Sequence, residues 1–584
     1  MAIKKYVASG DTTIVNAYRQ SLETRGTGAN AGAADVMEVF SIYGRQSTSS
    51  AELSRALVKF PIASIKKDRT AGSIPSSGSV SFYMRLFNAK TSKTVPVDYT
   101  LMIQAVSQSW QEGIGLDLEN YKDVTKGNPG ANWMSASNSA YWQNSEGVVL
   151  AGGSFHTRSL GGTSAGSPNE IHVFSQSFTT GLEDLEVDIT PLVEQWIAET
   201  WGNYGVGVHL TASQEAKHSG SAPTINPSIG LGGRYPGYPA LDRGGNDKQN
   251  VLYNPSGSTE SYYTKRFFAR KSQYWYKRPV LEARWDSSIK DDRSNFFFSS
   301  SLASADSNLN TIYFYNYVRG KLAEIPNLSS DKSIHVSIYS GSAGGFYANQ
   351  GGGDGSDVPP SNYPVSGTTG SVQVLSPDNP GHVTTGYLTV VTGGIVSTGI
   401  YSASFAFTGS ELLESVYDVW FKGGDSIKNA TDATTQYFTG TIKPHTLYAA
   451  QSNVSPVYYL TVTNMKNRYR ANEDARFNLY IRNKNWSPTI YTVATSHPPP
   501  TIIESASYKV FRVLDALDVI PYGTGSDLHT MMSYDMSGNY FDLNMRLLEP
   551  GYEYGLQFTF YEPSLGGWSE QDQVFKFRVE EYEY

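Results

Sequence analysis

The chain contains no cysteine, which excludes disulfide frameworks, thiolate zinc sites, iron–sulfur clusters and cysteine nucleophiles together. Charge is also sparse. Only 17% of the 584 residues are acidic or basic, and the formal net charge is -8, so there is no overall electrostatic footprint for wrapping nucleic acid. Nowhere do apolar residues run together for the roughly 18 positions that a membrane-spanning helix needs. Behind the lysines of Met1-Ala-Ile-Lys-Lys-Tyr6 there is no apolar segment of the kind that marks a secretory signal; the expectation is a chain made soluble in the cytoplasm without an encoded export route. The nine histidines (His156, His172, His209, His218, His335, His382, His445, His497 and His529) are scattered. They form neither an HExxH pair nor a nucleophile–base context, and the chain reads as non-enzymatic.

What is abundant points the other way. With 55 Gly, 40 Tyr and 25 Phe, the composition favours pleated surfaces and tight turns over amphipathic helices, and an all-β fold is expected. The length exceeds what one hydrophobic core serves. Residues 1–286 show strand-like runs separated by Gly, Ser and Asn clusters and read as a large jelly-roll β-sandwich. In Ser79-Val-Ser-Phe-Tyr-Met-Arg-Leu-Phe87 the apolar residues alternate. The run Arg278-Pro-Val-Leu-Glu-Ala-Arg-Trp285 puts Leu281, Ala283 and Trp285 on one face of a closing strand with one buried side. One short helix is expected, with Thr190 as N-cap, Pro191 at the first helical position and Gly202 past the end; Leu192, Val193, Trp196 and Ile197 form its apolar stripe. Residues 287–448, with a glycine-rich loop at 351–372, and residues 449–584 each read as a smaller immunoglobulin-like β-sandwich.

Several positions of the first unit occur in a telling order: Asp11-Thr-Thr-Ile14, Ser54 to Phe60, Trp110-Gln-Glu-Gly113 with Gly115, Asp188-Ile-Thr190 with Trp196, Asn203-Tyr-Gly205, and Phe268-Ala-Arg270 with Arg278-Pro279. On these residues the first half of the chain resembles the DNRLRE-type jelly-roll modules, relatives of carbohydrate-binding modules. The stretches 121–147 and 212–253 are long, polar and irregular, a departure from that pattern. The whole chain, with its MAIKKYVASGDTTI opening and serial β-sandwiches, is similar in architecture to virion structural proteins of tailed marine bacteriophages. That second resemblance implies a non-enzymatic component of tail, neck or baseplate, found in the virion. Its expected partners are other virion proteins, further copies of itself and a host surface polysaccharide, with neither nucleic acid nor membrane insertion. The alternative is a cell-surface or secreted carbohydrate-binding protein.

Sugar recognition needs exposed flat rings. Trp133, Tyr141 and Trp142, in polar loop-like sequence, are the candidates, set against burial under the sandwich. Asp117, Glu119 and Asp123 lie in a loop with Gly113, Gly115 and Asn120 and supply hard oxygen ligands suited to Ca2+, set against a solvated acidic loop; no other cofactor is expected. Lys265, Arg266, Arg270, Lys271, Lys277 and Arg278 interleave with Tyr274, Trp275 and Tyr276. That pattern suits either stacking on bases or sugars or an amphipathic cover in which basic stems lie over aromatic rings. In the tail Glu580-Glu-Tyr-Glu-Tyr584, Tyr582 and Tyr584 are candidate assembly contacts.

Overall fold

The computed structural model describes residues 2–16, 30–43, 51–91, 95–116, 130–144, 147–156, 173–215, 262–299, 308–328, 332–340, 372–375, 390–409, 416–422, 434–445, 457–484, 501–563 and 565–581. They form an all-β protein of antiparallel sheets, with a single parallel pairing between Arg468–Arg470 and Phe575–Glu580 among the named strands. Two compact units emerge: one holds residues 2–286 with 525–529, the other residues 287–524 with 530–581.

The first unit runs β1 (Ile3–Val7), β2 (Gly10–Val15), β3 (Val36–Tyr43), β4 (Ala51–Lys59), α1 (Ile62–Thr70), β5 (Ser81–Leu86), β6 (Tyr99–Ala105), β7 (Ser135–Ser137), β8 (Ala140–Tyr141), β9 (Val173–Phe178), β10 (Leu185–Asp188), α2 (Thr190–Ile197), β11 (Val206–Leu210), α3 (Ala212–Glu215), β12 (Tyr262–Phe268) and β13 (Val280–Arg284). One sheet has the order β1-β13-β5-β10 and the other β12-β3-β4-β11-β6-β9, with β2 added on β4. The interleaving of β1, β13, β5 and β10 with β4, β11, β6 and β9 is the double Greek key of a jelly roll. The first and last strands are neighbours: Ile3 pairs with Arg284 and Val7 with Val280.

The alternation in β5 and β13 sends Phe82, Met84, Leu281 and Ala283 into the core between the sheets, where they meet Ala56 and Val58 of β4 and Val206 and Val208 of β11. Leu192, Val193 and Trp196 of α2 join this core, as the stripe requires. The residue at the N-cap is Ile189 rather than Thr190. The Thr190 hydroxyl instead donates to Asp188 and accepts the Phe82 N–H, tying the helix to β5.

A single helix was expected, and the unit holds more. α1 follows directly on β4, buries only Ile62 and Ile65, and docks on α2 through the Arg69 guanidinium, which bonds both oxygens of Glu194 at 2.6 Å. β13 also departs from expectation. All five of its residues are buried, so its polar face is covered as fully as its apolar one.

In the second unit, residues 287–445 contribute Asn310–Tyr315, Ile334–Ser340, Val372–Leu375, Val391–Ser397, Ile400–Gly409, Val416–Phe421 and Gln436–Ile442 to one connected sheet. The sheet curls over its own core. Phe314, from the strand at one end of the path, rests at 5.7 Å on Trp420 and at 5.8 Å on Phe438 near the other end. Residues 457–581 form two sheets, one of Tyr458–Val462, Asp474–Asn483, Gly538–Asn544 and Ser533–Asp535, the other built around Ala506–Arg512, Glu553–Glu562 and Phe575–Glu580. Phe477 and Tyr508 stack on Phe541 with centroids 5.1 and 4.0 Å apart. Among the described residues no helix is long and apolar enough to cross a membrane.

Candidate functional site

Trp133 and Trp142, candidates for sugar stacking in polar loop-like sequence, take the alternative of burial, on the outer face of the seven-stranded sheet. Leu53 and Leu57 of β4 point away from the main core, and residues 130–144 and 147–156 pack over them. Trp133 and Trp142 are the wedges of that cover and are completely buried, in a cluster with Ile14, Val106 and Ala136. The Trp142 indole N–H donates to the Asn132 carbonyl at 2.8 Å, and the Arg55 guanidinium lies over the Trp133 ring. Neither ring presents a face to solvent, so neither can stack on a sugar in this conformation. Tyr141, the residue before Trp142, is exposed. Asp117, Glu119 and Asp123, Tyr582 and Tyr584, and the glycine-rich loop up to residue 371 lie outside the described residues. Among the described residues no group of three or more metal-ligating side chains is placed to hold an ion.

Beside the tryptophans, Arg55 forms a two-pronged ion pair with Glu215 at 2.8 and 2.6 Å. His209 has both ring nitrogens within 2.7 Å of oxygen, at Leu210 and Gln104. Burial, reinforced by the Arg55 charge, pushes its pKa down. The imidazole braces β11 against β6.

Three of the residues on which the DNRLRE resemblance rests, Asp11, Glu112 and Arg270, far apart in sequence, meet in one knot, while Trp196 lies in the main core. Arg270 grips both oxygens of Glu112 (2.8 and 2.6 Å) and its backbone N–H donates to Asp11. The Trp110 indole donates to Tyr204, and the Asn203 amide to Phe60. Burial raises the Asp11 carboxyl to about 6 although it accepts the Arg270 N–H. Every one of these groups is engaged with the chain itself, closing the ends of the two sheets.

A second knot occupies the outer face of the four-stranded sheet. Glu282 of β13 binds Arg284 at 2.6 Å and Arg85 of β5 at 3.2 Å, with Lys5 of β1 at 3.5 Å; Arg284 also reaches Glu186 of β10 at 2.7 Å. Burial alone would raise the Glu282 carboxyl, but the charges of Arg85, Arg284 and Lys5 hold it far below the ordinary carboxylate range. Burial lowers Lys5 to about 8.

The basic and aromatic stretch resolves into inward-held and outward-facing parts. Lys265 is buried, with its ammonium donating to Asn88, Gly181 and Glu183. Arg266 binds Glu38, and Arg278 the Ser272 carbonyl. Lys277 lies over Phe268, and Lys5 over Tyr276. These contacts are the amphipathic cover that the spacing suggested. What remains outward is a 3-10 turn between β12 and β13 carrying Tyr274 and Trp275, 52% and 48% exposed, beside exposed Lys271. This adjacent pair of rings is the most ligand-like surface feature of the unit. The pattern of the sequence named the pair but gave no means of telling it from the buried Tyr276.

No family model matches the chain, and no curated protein matches it. Two solved structures show low-level similarity: the two immunoglobulin domains of DIP-gamma, at 8% identity over 47% of this chain and 90% of that one with a TM-score of 0.11, and trypsin-activated alpha-2-macroglobulin from Escherichia coli, at 8% identity over 86% of this chain and 31% of that one with a TM-score of 0.13. At such scores neither likeness carries an argument about what the chain does.

Proposed function

We propose that the chain is a non-enzymatic structural protein of a tailed-bacteriophage virion, attached at tail, neck or baseplate and assembled through its β-sandwich surfaces. The observation that supports this reading is how side chains are deployed. The clustered charged groups of the first unit are engaged in internal knots, whereas exposed apolar and aromatic residues sit at turns, short hairpins and an edge strand. These include Tyr274 and Trp275, Ile114 and Leu116, Tyr317 and Val318, and Val457 and Tyr459. Tyr- and Trp-bearing positions of this kind suit burial against neighbouring subunits, and repeated copies multiply weak contacts into avidity. Mass spectrometry and immunogold labelling of purified particles test it: stoichiometric recovery with label at one locus is expected, and absence from particles overturns the reading.

A second reading, a cell-surface or secreted carbohydrate-binding protein, is favoured by one feature. Tyr274 and Trp275 are adjacent, exposed and next to Lys271, as sugar stacking requires. A glycan array on the full chain, with Trp275→Ala as control, decides it. Binding that the variant loses would support this reading, and no binding would remove it.

A further inference from the structure

We propose that Lys265 and Asn88 are joined by a self-formed isopeptide bond that staples the two sheets of the jelly roll, with Asp184 handling the proton. The geometry holds an amine against a carboxamide. Lys265, on β12 at the edge of the seven-stranded sheet, is 1% exposed and places its Nζ 2.7 Å from the Asn88 side-chain oxygen. Asn88 lies two residues beyond β5 of the opposite sheet. Backbone contacts pin both segments: Asn88 bridges to Phe267, and the Ala89 N–H donates to the Arg266 carbonyl. The rings of Phe178 and Phe267 flank the amine at 5.0 and 5.1 Å, keeping water from competing for the amide. The Asp184 carboxylate accepts the Asn88 backbone N–H at 2.6 Å, so an acid–base group stands in contact with the reacting asparagine.

The environment also favours the required protonation states. Burial lowers the Lys265 amine to about 8 against the opposing charges of Asp184 and Glu183, leaving a usable fraction of neutral nucleophile near neutral pH. Burial raises the Asp184 carboxyl, the direction that a proton donor needs. In the reaction the Lys265 nitrogen lone pair attacks Asn88 Cγ and a C–N bond forms. Asp184 relays the proton lost by Nζ to the asparagine Nδ2, the Cγ–Nδ2 bond breaks, and ammonia departs. Amine and primary amide become secondary amide and ammonia, so no oxidant or co-reactant is required. The competing account is a permanently charged ammonium caged by its three oxygen acceptors, and it predicts an unmodified lysine.

Mass spectrometry of the folded full chain separates the two. The expected result is an intact mass lighter than the sequence mass by one ammonia, and a branched tryptic peptide joining the segments around Asn88 and Lys265. A succinimide at an asparagine loses the same mass but leaves linear peptides, so recovery of Lys265 only in a linear peptide overturns the proposal. Lys265→Met and Asn88→Ala should restore the full mass. Asp184→Asn should leave the circular dichroism unchanged while slowing or abolishing the link. Because the unaltered chain decides the question alone, a variant that fails to fold does not blunt the test.

Discussion

The two units solve the same problem, closing a sandwich of sheets, with different chemistry. The jelly roll buries charge: Glu282, Arg284 and Arg85 are each 3% exposed or less on a sheet face that points away from the hydrophobic core. In the sandwich of residues 457–581 the stacked rings of Phe477, Phe541 and Tyr508 fill the core, and an ion pair such as Arg476–Asp542 on its sheet stands half in water. Hydropathy alternates along both β13 and Asp474–Asn483. It identified the apolar face in both, yet it was silent on whether the other face is wet. A charged face becomes buried when its neighbours across the strands neutralise it, and those neighbours are set by topology.

The sharpest way to break this comparison is Glu282→Ala. Removing the central carboxylate leaves Lys5, Arg85 and Arg284 crowded together with Glu186 as the remaining acidic partner of the two arginines, at a cost of about 3–5 kcal/mol to the jelly roll. Peptide-resolved hydrogen exchange on the full chain should show β5 and β13 opening sooner, with residues 457–524 and 530–581 unaffected. Phe541→Ala is the mirror experiment, expected to cost about 3–5 kcal/mol and to loosen the C-terminal strands alone. Comparable losses in both units from either variant would mean that they do not stabilise themselves separately.

A smaller effect is expected from pH. Lys5 titrates near 8 in the folded chain against the ordinary 10.5, so between these values the unfolded chain holds more protons and stability rises with pH. Exchange in β1 and β13, corrected for intrinsic rate, should therefore slow from pH 8 to 9.5, and Lys5→Met should flatten that trend. Smallest is the exposed Arg476–Asp542 pair, where Asp542→Ala should cost about 0–1 kcal/mol in a urea titration. A loss as large as that of Glu282→Ala would erase the distinction between wet and buried ion pairs.

Much of the architecture was legible because strands announce themselves by local alternation. α2 was visible through Pro191 and its apolar stripe. α1 was not, because only Ile62 and Ile65 of its nine residues are buried and its start coincides with the end of a strand. Trp133 and Trp142 sit in polar sequence, which suggested exposure, but the apolar surface that receives them belongs to β4, some eighty residues earlier. The motif residues Asp11, Trp110, Glu112 and Arg270 could be recognised by their order, while their role as a clamp appears only when the fold brings them together. The Lys265–Asn88 contact spans 177 positions and leaves no local mark at all.

The pairing of β1 with β13 has a mechanical consequence. Because entry and exit strands are antiparallel neighbours with Ile3 opposite Arg284, tension applied at the two ends of the jelly roll strips their hydrogen bonds one after another, as a zipper opens, instead of shearing them all at once. With residues 88 and 265 covalently joined, that tearing stops at the link. The load would then pass from one sheet edge directly to the other, and β6, β9, β10 and β11, which lie between those two positions, would feel no pull.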